Sequence, residues 1–272
     1  MELQAKPFGI SERLNELVNN LSEMQRTLQK GKKEIELSNV SFVTPLSILP
    51  LAVYANNNNM TINCTEDPYR DACSYLNTIC FQQGVTEFQK EDKRYLPITR
   101  LSTAEGCKLL GEYEDRMLSQ TGIEKVVLKH LTSELVNNVR EHALVNQYWL
   151  LAQTYKTTHL IVEIVLADCG IGYKDSYKDT RFEVEDDASA IINALEGRSS
   201  KTELSGRGFG IPSIVRIFAG ALSGKLIIMS GESMIYYKDG KRKELQLESY
   251  WQGALVGINF TPKPIDIYKY IE

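Results

Sequence analysis

The chain has 272 residues, with a hydrophobic share of 43% and a charged share of 24%, the balance of a soluble globular protein with a substantial core. A formal net charge of −4 gives no basic footprint for nucleic acid, and no apolar run approaches the ~20 residues of a membrane span. The five cysteines and three histidines form no CxxC pair or clustered ligand set, so neither a zinc site nor a disulfide framework is expected. Free thiols and the lack of an apolar signal core in MELQAKPFGI lead to the expectation of a cytoplasmic protein.

Ser11 to Lys30 reads as an amphipathic helix, with Leu14, Leu17, Val18, Leu21, Met24 and Leu28 at helical spacing. That stripe suits packing within its own domain or contact with a partner. EIELSNVSFV reads as a strand and PLSILPLAVYA as an apolar helix opening at Pro45. After the polar turn Asn56 to Asn59 come a short strand, MTINC, and a helix in DPYRDACSYLNTICF with Asp67 as N-cap. This alternation predicts a small α/β unit over 34–100, preceded by an N-terminal helix within 1–33. QKEDKRY and LPITRLS read as a boundary, and 101–272 as a second domain.

A helical pattern covers Thr103 to Thr121, and a long helix follows Gly122. It carries Glu134, Asn138 and His142 as a stack beside the apolar stripe Leu128, Leu131, Leu135 and Val139. A carboxylate and an amide at the edge of a core need partners, which are either ordinary protein groups or a ligand. HLIVEIVLADCGIGY is a strongly apolar strand ending in a glycine turn. The polar stretch 174–205, with a short helix at 186–196, has the length of a functional lid. GRGFGIPSIVRIFAGA is a glycine turn entering a helix, and GKLIIMSG, SMIYYKDG and ALVGINFTP are strands.

Gly170 and Gly172 follow a strand, and Gly206, Gly208 and Gly210 precede a helix. Glycine lets backbone N–H groups approach an anion, and a helix start adds a favourable dipole end. Each cluster alone is equally an ordinary turn. The chain has no GxxxxGK[ST] P-loop, and GRGFGI lacks the βαβ context and acidic residue of a dinucleotide site.

Taken in order, ExxxNxxxH on a helix, DxGxG after a strand, a long lid and GxGxG at a helix start resemble the GHKL ATPase superfamily. That superfamily includes the ATP domains of gyrase B, heat-shock chaperones, MutL, sensor histidine kinases and anti-sigma-factor kinases. SELVNNVREHA is most similar to the anti-sigma-factor kinase form, and GRSSK resembles the TSK stretch of MutL. The likeness spans about 105–262, and residues 34–81 resemble a STAS-type domain. It implies a two-layer α/β sandwich of Bergerat type, with a mixed, mostly antiparallel sheet.

The resemblance also implies ATP and Mg²⁺. Asn138 would hold the metal ion and Glu134 would be the general base on the attacking water, with His142 either its helper or a satisfied structural histidine. Asp168 would accept from the adenine amino group beside Gly170 and Gly172. Ser199, Ser200 and Lys201 would reach the γ-phosphate, and Gly206, Arg207, Gly208, Phe209 and Gly210 would form the lid hinge and phosphate contact. In many relatives a glycine–threonine pair supports the aspartate; QGALV matches it with Ala254 in place of the threonine, which implies a weaker or water-routed adenine contact. Pro45 and Leu46 occupy the place of the phosphorylated serine of STAS antagonists, so phosphorylation in cis is not expected. No phosphoacceptor helix precedes the ATP domain, and His130 lies inside the ATP-site helix, which argues against two-component autokinase activity.

Three functions follow: a bacterial, cytoplasmic ATP hydrolase acting as a conformational switch on a protein partner or second copy, through lid and N-terminal module; a serine/threonine kinase of the anti-sigma-factor kind; or a nucleotide-gated module that never turns over.

Overall fold

A computed structural model describes residues 10–37, 43–64, 72–88, 96–103, 106–156, 158–198 and 210–271. Helix α1 (Ile10–Gln29) leads to β1 (Glu34–Leu37), α2 (Pro45–Asn57), β2 (Thr61–Cys64) and α3 (Ala72–Thr78). Then come β3 (Thr99–Ser102), α4 (Gly106–Thr121), α5 (Lys125–Asn138), β4 (Gln147–Lys156) and β5 (Leu160–Ala167). Short helix α6 (Gly172–Ser176), α7 (Asp187–Leu195), α8 (Gly210–Ile214) and the hairpin of β6 (Lys225–Lys238) and β7 (Lys241–Phe260) complete it.

Strands β3 to β7 form one antiparallel sheet in the order β3-β4-β5-β7-β6, while β1 and β2 pair in parallel on their own. The sheet is apolar on both faces because the strands alternate between two cores. Leu151, Val165, Ala167, Ile227 and Met229 pack with α1 and α2. Leu150, Ile164, Leu166, Leu226 and Ile228 pack with α4, α5 and α8. The chain is therefore a mixed α/β fold with helices on either side of one sheet.

Helix α2 explains why the N-terminal elements join this core. Thr44 and Ser47 close a capping box, Pro45 occupies the first turn, and ten of its residues are buried. A helix apolar all round needs cover on all sides. It lies close on β7, where a Cβ at Gly257 would come 3.2 Å from Leu46 Cδ1. The expected boundary near residue 100 instead falls within β3, and LPITRLS supplies that edge strand. Hydrogen bonds between Val85, Ile98 and Arg100 tie the preceding segment to the same edge.

Other expectations need correction. GKLIIMSG and SMIYYKDG are one strand, β6, interrupted by bulges near Gly231. Strand β7 starts thirteen positions before ALVGINFTP, at Lys241, and β4 matches no expected element. Within EIELSNVSFV, Glu34–Leu37 form strand β1, and residues 38–42, like Asp67, lie outside the described residues. Cys64 and Cys73 form a disulfide, against the expectation of free thiols. The end of β2 and the start of α3 bring their Cα atoms to 5.7 Å, within bridging range. Cysteine usage therefore no longer supports a reducing compartment. Among the described residues, no helix is long and apolar enough to cross a membrane.

One buried carboxylate fastens both N-terminal helices to the sheet. Glu163 on β5 is 2% exposed. Its oxygens accept from Arg13 Nη1 at 2.6 Å, Leu46 N at 2.9 Å and Asn259 Nδ2 at 3.1 Å. Removing one partner of a buried pair leaves the other charge poorly compensated. Glu163→Ala is expected to lower unfolding free energy by about 3 kcal/mol in denaturant titration. Glu163→Gln, which keeps an acceptor for Leu46, should cost less.

Candidate functional site

Beyond α5 the helix widens into a π-helical turn at Val139–Ala143, and Leu144 then adopts a left-handed φ of 54°. A π-turn inside a helix is frequent at functional sites. It delivers the Ala143 carbonyl to the loop after β5, where Ile171 N donates to it at 3.0 Å. The approach leaves no room for a side chain on that loop, since a Cβ at Gly170 would lie 2.2 Å from Ala143 O. Gly170 is thus required by a helix end close to it in space and far from it in sequence.

The same loop is held from β7. Asp168 Oδ1 accepts from Gly170 N at 2.8 Å and Ala254 N at 3.2 Å, and Asp168 N donates to Ala254 O at 2.9 Å. Gly253 has φ +92°, and a Cβ there would meet Asp168 O at 2.4 Å. Ser230 donates to Gly253 O at 2.7 Å and accepts from Tyr173 N at 3.1 Å. Gln252 Nε2 donates to Gly170 O. Ala254 therefore supports the aspartate through its backbone, so the missing threonine hydroxyl leaves Asp168 anchored. Gln252 and Ser230 were not anticipated, whereas Gly253 is the glycine of the supporting pair that QGALV matches. The glycine preceding Ala254 was their sole sequence signal.

Burial raises the Asp168 carboxyl to about 6 despite those two donated hydrogen bonds. Cys169 is pushed up to about 12, first by burial and then by Asp168, so it stays a thiol at neutral pH and is a poor nucleophile.

Asn138, His142, Asp168, Gly172, Tyr173 and Ala254 line one pocket. The Asn138 Nδ2 is buried there without a hydrogen-bond partner among the described residues. An orphaned buried amide costs about 1–3 kcal/mol and suits a site completed by a ligand. The cavity is small, about 30 Å³, and Tyr173 and Ser176 of α6 are among its lining residues. It is sized for water rather than for a ring, so a base would enter only if α6 shifted.

Glu134 lies one turn before Asn138 on α5. Burial, followed by the charge of Glu141, raises its pKa. Its Oε2 abuts Gly210, where a Cβ would come within 2.6 Å. Gly210 therefore opens α8 directly against the carboxylate. The expected helper, His142, lies two turns away from Glu134 in a pocket wall, whereas His130 Nδ1 stands 4.0 Å from Glu134 Oε1. Burial lowers the His130 pKa, so at neutral pH this contact is not an ion pair. Ser213 Oγ donates to Gly210 O at 2.7 Å and lies 2.7 Å from His130 Nε2. Nε2 is then the protonated nitrogen, and the bare Nδ1 faces Glu134.

Asn138, Asp168, Gly172 and, through backbone packing, Gly170 are thus brought together, with Glu134 and Gly210 adjoining along α5. Ser199, Ser200, Lys201, Gly206, Arg207, Gly208 and Phe209 lie outside the described residues. Among the described residues, no cluster of three His, Cys, Asp or Glu side chains could hold a metal. A magnesium site here would rest on the Asn138 amide with ligand oxygens and water, the mixed shell that Mg²⁺ favours. No protein-family model, curated protein or solved structure matches the chain.

Two outcomes test this geometry. Gly253→Ala should cost about 2 kcal/mol or more in thermal or denaturant unfolding, because it strains the backbone and crowds Asp168. The raised Asp168 pKa stabilises the fold below pH ~4, and that contribution is lost as pH rises through about 6. Wild type should therefore lose up to about 3 kcal/mol over this window relative to Asp168→Asn, as read from paired unfolding curves.

Proposed function

We propose that this chain is a Mg²⁺–ATP-binding protein of the GHKL type. It has a Bergerat-like α/β sandwich, a STAS-like N-terminal module and slow ATP hydrolase activity. The observation that carries this reading is the shared pocket of Asn138 and Asp168, with an orphaned amide on one wall and a doubly anchored carboxylate on the other. The ordered motifs of the sequence supply the same pair independently.

ATP would bring an amino group for Asp168 and, with its magnesium ion, phosphate oxygens and electrophilic phosphorus. Asp168 orients the base through its outer oxygen, since Oδ1 is already engaged by two backbone N–H groups. Asn138 offers its side-chain oxygen to the metal. Glu134, desolvated and of raised pKa, takes the proton of the attacking water. This is the tuning that a general base near neutral pH needs. His130 Nδ1 is placed to receive a hydrogen bond from Glu134 once that proton has arrived. Tyr173 and Ser176 must move to admit the base, and this couples nucleotide entry to α6 and to the segment 174–205. The changed face of that segment and the N-terminal module would engage a protein partner or second copy.

Glu134→Ala should retain nucleotide binding in calorimetry and lose phosphate release by a factor of ~10² or more; unchanged turnover removes the assigned base. Adenine binding should weaken as pH falls below about 6, when Asp168 takes up a proton, and Asp168→Asn should flatten that profile.

A further inference from the structure

A second cavity opens on the α1/α2 side of the sheet, apart from the pocket of Asn138 and Asp168. It measures about 390 Å³, within the range of small-molecule sites. Its lining includes Gln29 from the end of α1, Tyr54 and Asn57 from α2, and Tyr250, Trp251 and Gln252 from β7. No Asp, Glu, Lys, Arg or His side chain is among the described residues that line it.

The wall is held rigidly. Gln25 donates to Tyr250 O at 2.5 Å and accepts from Tyr250 N at 3.3 Å, clamping α1 to β7. Asn58 donates to Tyr54 O at 2.9 Å. Within this frame Trp251 is 2% exposed, and its indole Nε1 is buried with no hydrogen-bond partner among the described residues. Gln29 and Asn57 hold exposed carboxamides at the rim, each offering both donor and acceptor. The ring of Tyr250, 47% exposed, supplies a flat apolar surface beside them.

We propose that this cavity is a binding site for an uncharged, hydrogen-bonding ring compound of nucleoside or hexose size, held by the Gln29 and Asn57 carboxamides against the Tyr250 ring, with the buried indole of Trp251 behind it as a reporter. The absence of charged lining groups selects against phosphates, carboxylates and ammonium ions, whose desolvation would go uncompensated. Two carboxamides and a tyrosine ring match either a nucleobase edge or a sugar hydroxyl array.

The test follows the indole N–H signals of the two tryptophans in the full-length, ¹⁵N-labelled protein, with Trp251→Phe identifying the Trp251 resonance. Uridine and guanosine form one arm, glucose and N-acetylglucosamine the other, and uridine monophosphate is the charged control. One arm is expected to shift the Trp251 signal saturably below about 10 mM, a weak affinity that a few neutral hydrogen bonds supply. Asn57→Ala should weaken that binding by about threefold to tenfold, the worth of one neutral hydrogen bond; it leaves the core indole untouched. No shift from either arm overturns the site, and binding that is unchanged in both Asn57→Ala and Gln29→Ala overturns its location. Tighter binding of uridine monophosphate than of uridine overturns the neutral class. Since no readout involves ATP or phosphate release, the result is independent of the nucleotide reading.

Discussion

The candidate pocket depends on the carboxylate of Asp168 and on the two backbone N–H groups that point at it. Asp168 directly follows β5, Gly170 N turns back onto it, and Ala254 N reaches it from β7. A carboxylate 2% exposed would be strongly disfavoured without such donors. Even with them its pKa stays raised, so burial outweighs the hydrogen bonds in setting its protonation. Because the junction is made of backbone, side-chain volume is what threatens it, and Gly170 and Gly253 are the positions where a Cβ would intrude.

Around that junction the fold divides its labour between the faces of the sheet. On one face, α5 and its π-helical extension bring Glu134, Asn138 and Ala143 to the loop after β5. On the other, α1 and α2 bury an apolar layer and meet β5 through Glu163. The two faces communicate through short segments. Cys169 lies between the pocket aspartate and Gly170 and borders the cavity near Trp251, while Gln252 borders that cavity and donates to Gly170 O.

The stacking of Glu134 and Asn138 was legible in the sequence because helical period fixes neighbours three and four residues apart. The apolar run of β5, the turn after it, α1, and α2 with its opening at Pro45 were legible for the same reason: each is a local pattern with a strong signal. Strand β4 was not, since QYWLLAQTYK mixes apolar and polar residues without clean alternation, and a strand buried on both faces need not alternate. The long β7 was hidden likewise, its first half being exposed and charged. LPITRLS reads as a linker in isolation and becomes a strand only because β4 offers it an edge.

By itself, then, the sequence determined the periodic elements and the grouping of Glu134 with Asn138, since these rest on spacing along one helix. Tertiary structure decided which distant groups met them: His130 rather than His142 beside Glu134, Gly210 against that carboxylate, and the Ala254 backbone in place of a threonine hydroxyl. It also decided that Cys64 meets Cys73 and that the N-terminal helices share the core of the main sheet. The reason is that hydrogen bonds to backbone and the close approach enabled by a missing Cβ depend on where segments far apart in the chain come to rest. Residue type alone does not encode that placement.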